Sequence, residues 1–149
     1  MKPLCDKRRL AQAHRITQFK ERRCERERIE AARTEREAAR KAEAARKRHA
    51  IAQSNSAAAR SAFFVEGGRE QAEIWMIASQ MREEQAANEV QIAEDKADSA
   101  STAANQVRRE HEALRGRSAH LEDRIGRANG IHAARAEASE DDDTQERFS

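Results

Sequence analysis

The chain has 149 residues, 38% of them charged and only 3% aromatic, with no Tyr, one Trp, one Pro and five Gly. Thirty-one residues are Ala and 23 are Arg, the usage of long helices and coiled coils. Too few large apolar side chains are present to fill a conventional core, which excludes a β-rich domain and a compact enzyme fold. Net charge is only +2, yet residues 1–60 carry 18 Lys/Arg against 8 Asp/Glu, and residues 61–149 carry 11 against 19. That asymmetry, net +10 followed by net −8, predicts either an acidic partner for the first half or electrostatic pairing between the halves.

The segment Met1-Lys2-Pro3-Leu4-Cys5-Asp6-Lys7-Arg8-Arg9 has no apolar stretch behind its charges and does not read as a secretory signal. Pro3 falls where a first helical turn tolerates it. From about residue 4 to residue 64 nothing breaks a helix, and Ala, Arg, Glu, Gln and Lys dominate. Cys5 and Cys24 would lie roughly 28 Å apart on one helix, so they read as free thiols of a reducing compartment. Glu21, Glu25, Glu27, Glu30, Glu35 and Glu37 are threaded among the arginines, a pattern that predicts helical ion pairs rather than a pure cationic stripe.

Gly67-Gly68 is a turn signal, which sets a turn over about 65–69 and a second helix over about 69–137. From Ala72 to His132, alternating steps of four and three pick out eighteen positions, thirteen of them apolar, without a phase shift. This is sustained coiled-coil periodicity. A matching seam runs from Ala31 through Ala38, Ala42, Ala45 and Ala59 to Phe63. Folding the chain at the glycine pair sets residue i opposite residue 135−i and brings the two seams together. The expected fold is therefore all-α: a long two-helix antiparallel coiled-coil hairpin over residues 1–139. Glu140-Asp141-Asp142-Asp143 opens an acidic stretch, 140–149, expected as a short disordered tail. Extended toward the N-terminus, the first seam meets Arg28, Cys24, Glu21, Thr17, His14 and Leu10, whereas the apolar residues there are Ile16, Phe19 and Ile29. Either the helix rotates at that end or it is loosely paired.

No phosphate-binding Gly loop, zinc-ligand spacing or nucleophile motif is present. His14, His49, His111, His120 and His132 are scattered, and a fold-back would bring His14 near His120. No catalytic residue, cofactor or metal site is expected, and no apolar run approaches the ~20 residues of a spanning helix, so a cytoplasmic location without membrane insertion is expected. The most informative local feature is the apolar cluster about the turn. Phe63 and Met76 fall on the seam, whereas Phe64, Ile74 and Trp75 lie off it and point to an interface.

An Arg/Glu/Ala-rich first helix, a short break near the middle, and an apolar-aromatic patch leading into a longer Ala-rich second helix resemble the central-stalk protein of type III secretion and flagellar export apparatus (the YscO/FliJ family). The likeness runs from about Leu4 to Ile131 and rests on layout, size and periodicity. It implies a non-catalytic, two-helix coupling protein that contacts the hexameric export ATPase and the cytoplasmic domain of the export gate, promotes ATPase activity and protein secretion, and engages secretion chaperones as further partners. Under that resemblance Arg8, Arg9, Arg15, Arg22 and Arg23 would face the ATPase, and Phe64, Ile74 and Trp75 at the tip would face the gate. These residues are chosen by charge and exposure rather than by a family motif. Two other readings compete: a basic coiled coil associated with nucleic acid, drawing on the net +10 of residues 1–60, and a generic coiled-coil scaffold or secretion chaperone.

Overall fold

The computed structural model describes the backbone of residues 2–148 and the side chains of residues 6–139. Two helices account for nearly all of it: α1, Lys2–Val65, and α2, Glu70–Phe148. They pack antiparallel as an all-α helical hairpin. The helix boundaries at the turn fall within a residue or so of the expected ones. At the far end α2 stays helical past residue 137, where no Gly or Pro follows Gly130 to end it. The acidic stretch expected as a tail is thus helical in its backbone up to Phe148, while the side chains of 140–149 lie outside the described residues.

The glycine pair closes α1 by a chemically specific route. Gly67 and Gly68 have φ of 67° and 75°, the left-handed region in which a Cβ clashes with the following carbonyl. With Gly67 there, its N–H donates to the Phe64 carbonyl at 3.4 Å and the Gly68 N–H donates to the Phe63 carbonyl at 3.1 Å. These two bonds form a Schellman cap, which satisfies carbonyls that the helix end would otherwise orphan. The Phe63 ring lies over Gly68, 3.6 Å from where a Cβ there would stand. Glu70 and Glu73 then occupy the first turn of α2, where carboxylates complement the positive end of the helix dipole.

The chain divides into two compact units, Ile29–Gln106 on one hand and Met1–Arg28 with Val107–Ser149 on the other. In the Ile29–Gln106 unit the fully buried seam positions are all alanine or serine. Ala42, Ala45, Ser56 and Ala59 of α1 and Ala72, Ser79, Ala86 and Ala104 of α2 are buried. Small side chains let the backbones approach closely but remove little apolar area from water per layer. Cross-helix ion pairs flank this seam, Arg46 to Glu94 at 2.7 Å, Arg48 to Glu89 at 3.7 Å and Arg60 to Glu83 at 3.9 Å. Each runs from a base on α1 to an acid on α2, so the charge asymmetry of the sequence acts as pairing between helices here.

In the other unit the seam holds its phase. Leu10, His14, Thr17, Glu21 and Arg28 are half-buried and Cys24 is buried, against Val107, His111, Leu114, Ser118, Leu121 and Ile125 of α2. The expected alternative, rotation of the helix toward its apolar residues, does not occur. Ile16 and Phe19 are instead left in solvent at 49% and 72% exposure. Polar side chains occupy the seam because they find partners across it. His14 Nε2 lies 3.2 Å from Glu122, His111 Nε2 lies 3.0 Å from Glu25, and Glu21 meets Arg115 at 4.0 Å.

Candidate interaction faces

The inward use of Glu21 and Glu25 has a consequence for the arginines around them. At 100° per residue, Arg8, Arg9, Arg15, Arg22, Arg23 and Arg26 fall in an arc of about 140° opposite the seam, and all six are exposed. Ile16 and Phe19 lie within the same arc, and between Arg8 and Arg26 no acid does. The expected helical ion pairs form, Arg23 with Glu27, Arg28 with Glu25 and Arg33 with Glu37, yet between Arg8 and Arg26 the glutamates stand outside the arginine arc. Glu21 and Glu25 turn toward α2, and Glu27, at the margin, holds Arg23 at 3.1 Å. All five arginines singled out from the sequence share this face. Arg26 was not among them, although its spacing of four residues from Arg22 and eleven from Arg15 already set it there.

Beside this face the Glu25 carboxylate is the best-fixed charge. Arg28 donates to it through two nitrogens, each at 2.7 Å. Those hydrogen bonds, with the nearby positive charges of Arg28, His111 and Arg115, hold the Glu25 carboxyl below its usual range despite partial desolvation. The neighbouring Cys24 thiol donates weakly to the Val107 carbonyl at 3.8 Å. Burial pushes its pKa up, and the charges of Glu27, Glu110 and Glu25 push it the same way. Both effects disfavour the reactive thiolate form.

At the turn, Phe64 is 78% exposed, Ile74 61% and Trp75 44%, while Phe63 and Met76 are half-buried on the seam. Phe63 and Phe64 meet edge to face with ring centroids 5.7 Å apart, so one ring closes the hairpin and the other is displayed. The displayed apolar surface continues along α2 through Ile77 and Met81, a stripe at i, i+3 and i+7 from Ile74. Met81 was missed from sequence because it stands beyond the contiguous apolar run, although its helical spacing signals it.

Among the described residues no group of three or more His, Cys, Asp or Glu is arranged to hold a metal ion. His14 finds Glu122 rather than His120, which is exposed. No helix among the described residues is long and apolar enough to cross a membrane. The fold is an all-α helical hairpin that displays a cationic face on α1 and an apolar stripe on α2. Comparison with protein-family profiles, curated proteins and solved structures gives no match to this chain.

Proposed function

We propose that the chain is a non-catalytic coupling protein, the stalk of a type III export apparatus working in the cytoplasm, which promotes the activity of a hexameric export ATPase and with it protein secretion. The observation that carries this reading is the gathering of Arg8, Arg9, Arg15, Arg22 and Arg23 on one exposed, acid-free face of α1. In the proposal this face binds acidic surface on the ATPase, Phe64, Ile74 and Trp75 bind the cytoplasmic domain of the export gate, and secretion chaperones bind alongside. The alanine seam supports it too. Such a hairpin buries little area of its own and gains order from packing partners.

The test is co-sedimentation with a cognate export ATPase and measurement of its turnover. Wild-type chain is expected to bind and to raise turnover, and Arg15→Glu with Arg22→Glu to lower affinity at least about tenfold, the effect of losing two charge-assisted contacts. Absence of binding by the wild-type chain overturns the proposal. The same cationic face favours a second reading, association with nucleic acid. Tight DNA or RNA binding whose affinity falls steeply with salt, together with no effect on the ATPase, would decide for it.

A further inference from the structure

The outward face of α2 in the Ile29–Gln106 unit is the electrostatic opposite of the α1 face. Between Glu70 and Asp98 the arc opposite the seam carries Glu70, Glu84, Asp95 and Asp98 and no base, and all four are exposed. The bases Arg82 and Lys96 project to the side of it. Its apolar members are Ile74, Ile77, Met81 and Ile92, exposed between 47% and 65%. Each face is thus an unpartnered helix surface of large apolar side chains in a field of one sign, negative on α2 and positive on α1. Both point away from the seam of their own unit, so neither is covered by the helix it pairs with.

We infer that the α1 face around Ile16 and Phe19 docks on the α2 face around Ile74, Ile77 and Met81 of a second copy of this chain, giving head-to-tail self-association. Charge selects this occupant. Two α2 faces set together would oppose acid to acid, and two α1 faces would oppose arginine to arginine, whereas the unlike pair brings six arginines to four carboxylates around an apolar centre. The α2 face, about 42 Å long, has room for the whole of the α1 face, about 27 Å long at 1.5 Å per residue. Such a contact is heterologous, so each copy retains one unused face and association continues beyond two copies unless the rotation closes a ring. The inference needs only these two faces and not the export-apparatus proposal, whose partners would compete with a second copy for the α1 face and for Ile74.

Sedimentation velocity of the full chain over a concentration series tests it. At about 0.1 M salt the mean mass should grow with concentration, and at about 1 M salt, where the screening length falls from about 10 Å to about 3 Å, association should weaken at least about tenfold. Two exposed-face variants, Ile16→Gln with Phe19→Gln and Ile77→Gln with Met81→Gln, keep good helix formers in place, and circular dichroism verifies that they fold. Each alone should stay monomeric, because its one damaged face is needed in every contact. Mixed, they should form a 1:1 complex and nothing larger, since one intact face of each kind remains. A wild-type chain that stays monomeric at low salt, a single variant that associates as the wild type does, or a mixture that fails to pair would each overturn the inference. The second of these would indicate a symmetric contact or exchange of opened hairpins.

Discussion

Two buried serines are the clearest single-residue cost in the fold. Ser56 and Ser79 sit on the seam at 0% and 2% exposure, at mirrored positions of the i to 135−i register, and neither hydroxyl has a hydrogen-bond partner. A buried unsatisfied hydroxyl costs about 1–3 kcal/mol, and alanine fits the same space. Ser56→Ala and Ser79→Ala should each raise stability by about 1 kcal/mol, read as a higher urea midpoint at unchanged slope. Loss of stability would mean that the hydroxyls are satisfied after all. Glu25 gives a second expectation. Its folded pKa is depressed, so its contribution to stability is complete above the usual carboxylate range and is lost as pH falls through the lowered value. Arg28→Gln removes the largest cause, and an NMR titration should then find the Glu25 carboxyl moved up toward its ordinary value.

Glycines at the turn and inside α2 behave oppositely. Gly67 needs its left-handed φ for the Schellman cap, and Gly67→Ala should cost about 1–2 kcal/mol. Gly116, Gly126 and Gly130 lie within α2 and a Cβ at any of them meets nothing within 4 Å. Each Gly→Ala change there should stabilise the protein by about 0.5–1 kcal/mol, read as a rise in thermal midpoint. The helices, the turn and every seam position from Ala72 to His132 were legible in the sequence, because period 3.5 and a breaker pair are local signals. The fate of Ile16 and Phe19 was not. A hydrophobic pattern predicts burial, and only the cross-helix partners of Glu21, His14 and His111 explain why a polar seam displaced these two into solvent. Five members of the arginine face were legible by charge, but its separation from the acids of the same segment was not. Counting charges along the chain mixes the inward glutamates with the outward arginines.

On the scale of the whole molecule, the lopsided charge does two different things. In the Ile29–Gln106 unit it supplies the three cross-helix pairs from α1 to α2, all partly exposed and each worth about 0–1 kcal/mol. Glu94→Lys should therefore cost less than about 1 kcal/mol in denaturant unfolding, and a much larger loss would mean that this pair is far better shielded from water than its exposure implies. On the outward faces the same asymmetry is exposed, and of the six arginines there Arg23 is held by Glu27. One consequence of the alanine seam remains. Alanine has no side-chain rotamers to freeze, and one alanine layer offers nearly the same contact as the next seven residues along. Layers this alike discriminate poorly between neighbouring registers within the Ile29–Gln106 unit, so there the capped turn, with Phe63 folded against Gly68, and the three cross-helix ion pairs tell the helices where to stop. A chain with flexible residues inserted at that turn would depend on those ion pairs alone to keep its alanine layers in step.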